Sequence, residues 1–265
     1  MPHDVVRPLA IVTGPTAGIG RAFAERFAER GHDLLLVSRD VARLETLAAE
    51  LSARHGIVAV ARPADLADEP QTAALAAELA ALPRVDVLVN NAGFGTLGTL
   101  LRTDPERQAA MVRLHCIAPL RLAQAVLGGM TRRRAGLIVN VSSVAAFVTG
   151  PANGTYAATK AFVRALSDGI AADVAGTGIR VQALCPGFTR TEFHDRMGYP
   201  PSNIPSPLWL TPQQVVDASL RAADRGGPVT VIPSLRYRLI VVALRHRPLR
   251  ILSALGRRGP RRGRA

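Results

Sequence analysis

The feature that most constrains this fold is an alternation of short apolar runs with helix-length amphipathic segments. Apolar runs at residues 9–13, 33–38, 57–61, 85–90, 137–141, 179–184 and 229–232 read as buried strands. Between them, 21–30, 41–55, 69–82, a long stretch at 105–133, the segment around Tyr156 and the segment after Thr211 read as helices. Gly31 stops the first helix. Asp40 is expected to cap the second, and Thr211 with Pro212 opens the last. Strands that alternate with helices form βαβ units, hence a parallel sheet covered on both faces. Residues 187–210 look irregular. No internal repeat or interdomain linker interrupts the pattern, and 265 residues at 48% hydrophobic suffice for one α/β domain.

The first strand runs into Thr13-Gly-Pro-Thr-Ala-Gly-Ile-Gly20, which opens the first helix. Gly14, Gly18 and Gly20 allow a tight turn and a close backbone approach, and the helix start offers unpaired N–H groups. Strand, glycine turn and helix in that order suit a dinucleotide pyrophosphate. The second strand ends Ser38-Arg39, where an NAD-preferring fold usually carries a carboxylate for the ribose 2′-hydroxyl. A guanidinium there suits a 2′-phosphate, so NADP(H) is expected over NAD(H).

Lys160 is the sole lysine of the chain, against 32 arginines, and it follows Tyr156 by four residues. On a helix the two share a face. An ammonium near a phenol favours phenolate, so Lys160 is expected to lower the Tyr156 pKa and prepare a group that gives or takes a proton.

With these residues in view, the chain resembles the short-chain dehydrogenase/reductases, of the NADP-preferring type. Thr13-Gly-x-x-x-Gly-Ile-Gly20, Asn90-Asn-Ala-Gly93, Ser143, Tyr156-x-x-x-Lys160 and Cys185-Pro-Gly-Phe-Thr-Arg-Thr191 stand in that family's order, from about residue 8 to 233. The resemblance implies a Rossmann-like doubly wound domain with a seven-stranded parallel sheet. It also implies hydride transfer between a nicotinamide and a ketone, aldehyde or alcohol. Tyr156 would protonate the carbonyl oxygen. Lys160 would tune it and hold the nicotinamide ribose, and Ser143 would hydrogen-bond the substrate oxygen. Gly14, Thr16, Gly18, Ile19 and Gly20 would cradle the pyrophosphate, with Ser38 and Arg39 at the adenosine ribose. Asp65, next to Leu66, would meet the adenine; a helix cap is the alternative for Asp65. Asn90, Ala92 and Gly93 would line the adenosine ribose side. Pro186, Gly187, Thr189 and Thr191 would lie by the nicotinamide and the phosphates. No metal is implied. His115 departs from the pattern, since the family usually has Asn there, holding a water for the proton relay. An imidazole can donate and accept, so His115 could hold that water or relay the proton itself; being larger, it could instead displace the water, or be a helix histidine with no role.

Residues 187–210 would form a lid. Phe188, Phe193, Met197, Tyr199, Ile204, Leu208 and Trp209, with Phe94, Leu97 and Phe147, point to a lipophilic substrate, or else pack the lid onto its own domain. Subunits of the family pair through the long helices, so a homodimer or homotetramer is expected.

Net charge is +13, but residues 225–265 hold 11 arginines and no acidic residue, so the basicity belongs to a tail. This gives a catalytic domain at 1–233 and a basic helical extension at 234–265, split by Pro248 and disordered over its last ten residues. Arginines beside an apolar stripe suit an anionic membrane surface, or a helix pair over the substrate mouth or a partner subunit. No nucleic-acid motif accompanies the charge. Two cysteines, no signal-peptide pattern and no apolar run of spanning length point to the cytoplasm, with peripheral contact at the inner membrane surface. The rival reading is a cofactor-binding regulatory or scaffold protein in which His115 has spoiled the relay.

Overall fold

Alternate side chains of the first strand, β1 (Leu9–Thr13), enter two separate cores: Ala10 and Val12 one, Ile11 the other. That two-residue period recurs in β2 (Asp33–Ser38), β4 (Val87–Asn90) and β5 (Gly136–Val141) and makes the middle of each strand apolar on both faces. Helices α1 (Gly18–Glu29), α2 (Val41–His55) and α8 (Pro212–Asp224) cover the first face, through Phe23, Phe27, Leu44, Leu51, Val216 and Leu220. Helices α3 (Glu69–Ala81), α5 (Ala118–Arg133) and α6 (Gly154–Asp173) cover the second. The computed structural model describes residues 7–148, 150, 153–197 and 204–246.

With β3 (Ala59–Pro63), β6 (Ile179–Leu184) and β7 (Thr230–Val231), the sheet has seven strands in the order β3-β2-β1-β4-β5-β6-β7. Every pair is parallel. The Rossmann-like doubly wound expectation holds. The strand order reverses direction between β1 and β4, and open parallel sheets bind ligands beyond the carboxyl ends of the strands at such a point.

Local departures have local causes. The first helix begins at Gly18 rather than residue 21. The third strand begins two residues later than expected, because α2 ends at Gly56 in a left-handed turn and Val58 N–H is taken by the Asp33 carboxylate. The irregular reading of 187–210 is incomplete, since α7 (Glu192–Met197) and a 3₁₀ turn at Ser206–Leu208 lie in it. Tyr199, Pro200 and Pro201 fall outside the described residues, as do Pro248 and the last ten residues. The first part of the basic extension is α9 (Leu235–His246), whose Tyr237 and Val241 are buried in the body.

The long helix is broken by chemistry. Helix α4 (Pro105–Val112) passes into a π-helical turn, Arg113–Ile117, before α5. Pro119 has no N–H to offer the carbonyl four residues back, and Ala118 N–H reaches Arg113 O instead. The π turn gives position 115 its own heading. By length and composition Pro105–Arg133 is apolar enough to cross a bilayer, which corrects the expectation of no such run. Here its face with Leu122, Ala123, Val126 and Met130 packs in the core.

Candidate active site

The turn after β1 is stitched to the end of β4. Thr13 Oγ1 accepts from Asn91 N–H (2.9 Å) and Ala92 N–H (3.0 Å), and Asn91 Nδ2 donates to the carbonyls of Thr13 and Gly14 at 3.0 and 2.9 Å. Glycine is required where these strands meet. Gly14 has φ +65°, and a methyl group on Gly20 would lie 2.1 Å from the Gly14 carbonyl oxygen. Gly18, at φ +57°, sits under Thr191, whose Cγ2 leaves no room for a side chain. Asp40, Asp68, Asp104 and Thr211 cap α2, α3, α4 and α8 through their side chains, whereas Ala17 at the start of α1 has no side chain that can. The α1 N–H groups are left for an anion, so the cradle fits a dinucleotide pyrophosphate.

Arg39, 68% exposed at the end of β2, reaches Asp65 at 3.5 Å. Asp65 is not a helix cap, since it turns back to Ala67 N–H while Asp68 caps α3. Ser38 Oγ accepts from Asp40 N–H. Arg43 bridges Thr16 O (3.3 Å) and the Glu192 carboxylate (2.7 Å), tying the turn to the start of α7.

Several expected cofactor contacts are taken by the protein. Asn90 points into the sheet, where its amide donates to Asn140 Oδ1 at 2.8 Å, so its side chain faces no ligand cleft. Strand alternation turns Asn91, not Asn90, toward the cleft. Leu66 lies in the core, and Ile19 packs against the other face. Thr189 Oγ1 donates to Gly187 O, while Thr191 Oγ1 accepts from Phe193 N–H at the start of α7. Pro186 O accepts from Val144 N–H, and the Tyr237 ring lies against Gly187 where any side chain would stand.

Ser143, Tyr156 and Lys160 come together at the ends of β5 and α6. The two adjacent serines separate cleanly. Ser142 Oγ donates to the Lys160 carbonyl (2.7 Å), while Ser143 Oγ accepts from Ala145 N–H (3.1 Å) and lies near enough to the Tyr156 hydroxyl to lower its pKa. Tyr156 is partly exposed, on the side of a cavity of about 310 Å³ lined by Thr96, Thr99, Leu100, Gln108 and Asn153. Burial pushes its phenol up to about 12, and Ser143 opposes that rise. The expected lowering by Lys160 does not appear, since burial outweighs it. Lys160 Nζ donates to Val141 O at 2.9 Å and stands 5.7 Å from the Tyr156 ring centroid. Burial brings the Lys160 ammonium itself down to about 8.

His115 is buried, with Nδ1 2.9 Å from Thr159 Oγ1 and Nε2 accepting from Phe94 N–H at 3.2 Å. Both ring nitrogens are occupied by protein partners, Thr159 and Phe94, which favours the alternative in which the imidazole displaces the water. Of the apolar candidates, Phe193 meets the Tyr156 ring at 5.9 Å, and Phe193 and Met197 close over Gly95. Phe188 packs on Trp209, and Phe147 lies under Arg164. Asn91, Arg43, Thr159 and Tyr237 were not singled out in the sequence. Only Asn91 left a signal there, as the second residue of a paired Asn.

The short chain dehydrogenase family model matches residues 8–199. Serine 3-dehydrogenase of Agrobacterium fabrum is 38% identical over 194 residues, covering 69% of this chain and 72% of that protein. The chain spans between 58% and 80% of the length of the curated relatives it matches first. Among solved structures, a short-chain dehydrogenase from Sphingobium yanoikuyae in complex with NADPH superposes with TM-score 0.82 at 36% identity, covering 94% of this chain and 92% of that one. A bulky-bulky ketone specific alcohol dehydrogenase from Comamonas testosteroni gives 0.78 at 32% identity, with 97% of both chains covered. The chain belongs to the short-chain dehydrogenase/reductase family and is an oxidoreductase acting on CH–OH or C=O groups with a nicotinamide cofactor.

Proposed function

We propose that the protein is an NADP(H)-dependent carbonyl reductase or alcohol dehydrogenase, with Tyr156 as its general acid and base. The observation that carries this reading is the Ser143–Tyr156–Lys160 group at the head of the uncapped α1 cleft. When bound, the nicotinamide supplies or accepts the hydride at the substrate carbon. Tyr156 is protonated at neutral pH, as a phenol of ordinary pKa would be, and burial raises its pKa further, so it can deliver that proton to a carbonyl oxygen as negative charge develops there. Ser143 donates a second hydrogen bond to the same oxygen. Lys160 would hold the nicotinamide ribose. Arg39 supports NADP(H) over NAD(H), since an exposed guanidinium just after β2, where an NAD-preferring fold usually carries a carboxylate, suits a 2′-phosphate.

The substrate side is two-faced. Phe193 lies against the Tyr156 ring and closes with Met197 over Gly95, which supplies apolar surface beside the reacting group, whereas Thr96, Gln108 and Asn153 line the cavity with polar groups. A lipophilic ketone or secondary alcohol with one polar arm fits both. In this reading residues 1–233 are the catalytic domain and 187–210 its lid. Half-exposed Leu120 on α5 and Phe162 on α6 favour pairing of subunits, which light scattering tests. Leu235, Leu239 and Val242 form an exposed stripe on α9, next to an arginine-rich segment without acids. That combination favours peripheral contact with an anionic bilayer. Loss of salt-sensitive vesicle binding on Leu239→Gln is the expected result, and vesicles that never bind the wild type would end this reading. Two buried free cysteines suit a reducing cytoplasm.

The test is NADPH and NADH consumption over a panel of ketones and aldehydes, with Tyr156→Phe alongside. We expect turnover with NADPH that falls about 10²–10⁴-fold in the variant, with folding and NADPH binding intact. Unchanged turnover in Tyr156→Phe would overturn the assignment. Tight NADPH binding without turnover of any carbonyl would favour a cofactor-binding scaffold.

A further inference from the structure

We infer that His115 is a positioning residue, locked as the neutral Nδ1–H tautomer, which ties the substrate-side loop to the Tyr156 helix and relays no proton. The argument starts at Thr159, whose hydroxyl has one proton and donates it to the Tyr156 carbonyl at 2.8 Å. Toward His115 Nδ1, at 2.9 Å, the same oxygen can only accept, so Nδ1 bears a hydrogen. Nε2 faces the Phe94 N–H at 3.2 Å and must present its lone pair. The two ends together define one tautomer.

A relay needs a ring nitrogen that can change state. Protonating Nε2 would set one N–H against another and break the Phe94 tie. Releasing the proton on Nδ1 would require Thr159 to abandon the Tyr156 carbonyl. The surroundings favour neither change. The ring is 1% exposed, and the charged group facing it is the Lys160 ammonium, with Tyr156 on α6 and neighbouring Cys116 as its other titratable neighbours. Burial first, and Lys160 second, push the His115 pKa well below its ordinary value.

The ring is instead well placed to hold two segments at fixed separation. It stands edge-on to Tyr156, with centroids 5.9 Å apart at 76°, and 6.0 Å from the Phe94 ring. A side chain at Gly93 would strike Nε2 at 2.7 Å, so the chain passes directly over the imidazole. Phe94 begins the loop whose Thr96, Thr99 and Leu100 form one side of the cavity beside Tyr156. The π turn that aims position 115 follows from Pro119. An asparagine side chain is shorter and would not span from Thr159 to Phe94 as the ring does. His115 thus trades an ordered water for a direct strut, and its effect should fall on substrate fit.

This inference rests on Tyr156 as the reacting group, and its test has readouts that need no turnover. In the full-length protein, ¹⁵N NMR of the imidazole is expected to show the Nδ1–H tautomer, unchanged from pH 6 to 8. Amide exchange at Phe94 is expected to quicken in His115→Ala. With a carbonyl substrate and NADPH, His115→Ala should raise KM about tenfold or more, with a smaller change in kcat. His115→Gln offers a donor and an acceptor but cannot titrate, and it should recover most of that loss. The inference is overturned if the imidazole titrates near neutral pH or shows the Nε2–H form. It is equally overturned if His115→Gln binds NADPH, keeps its Tm and loses kcat by a hundredfold.

Discussion

The nucleotide side and the substrate side of this cleft are built by different physics. On the nucleotide side the backbone makes the site: glycines at 14, 18 and 20, a helix start without a side-chain cap, and Asn91 bonded to two carbonyls of the turn. On the substrate side, side chains from distant segments make it. Phe193 leans on Tyr156, His115 joins Phe94 to Thr159, and Tyr237 accepts from Phe188 N–H while donating to Leu208 O at 2.7 Å. A site made of backbone tolerates few substitutions but accepts one ligand shape. A site made of side chains can be altered residue by residue.

The contrast can be broken at several points. After Tyr156→Phe, the largest effect is expected from Gly20→Ala. Its methyl group would lie 2.1 Å from a backbone oxygen that cannot step aside, so NADPH affinity should fall by about a hundredfold in a fluorescence titration. Tyr237→Phe removes the acceptor of the Phe188 N–H and should cost about 1–3 kcal/mol of stability in denaturant unfolding, with a raised substrate KM and an unaltered NADPH affinity. If NADPH affinity falls as far as substrate affinity, the two sides are not separable. Arg39→Ala should lower the preference for NADPH over NADH by about tenfold in kcat/KM, a modest effect because the guanidinium is well exposed.

A separate effect is on pH dependence. Lys160 titrates at about 8 in the folded protein and at its ordinary 10.5 when unfolded. Between these values the unfolded chain holds a proton that the folded one has released, so stability rises with pH. Tyr156 acts the other way from pH 10 to about 12, where the folded state keeps a proton that the unfolded chain loses. Thermal unfolding of the cofactor-free protein should therefore show the rise above pH 8, and Lys160→Met should lack it.

The nucleotide side was the more legible in the sequence for the same reason that it is rigid. A backbone site is written in neighbouring residues, so Thr13 to Gly20 and the cap at Asp40 could be read locally. The sheet was legible because strands buried on both faces are apolar throughout. What escaped depends on contacts far apart in sequence. Nothing near Tyr237 announces a partner at Phe188, and nothing near His115 announces Thr159. The choice between Asn90 and Asn91 turned on strand alternation, and the π turn on one missing N–H at Pro119. Aromatic residues in the lid were counted correctly, but composition does not say which of them face a cavity and which, like Phe188 on Trp209, face each other.

The Tyr237 strut also bears on how the protein is made. A ribosome releases the chain in order, and every member of the Ser143–Tyr156–Lys160 group has emerged by residue 160. The lid that flanks them emerges next, but the hydroxyl that fixes Phe188 and Leu208 follows about 30 to 50 residues later, on the helix beginning at Leu235. During synthesis the reacting residues are therefore all available before their cover can be fastened. A chain cut short just before that helix would keep its reacting groups and lose the fastening, which makes the far end of the polypeptide a checkpoint for completing the site.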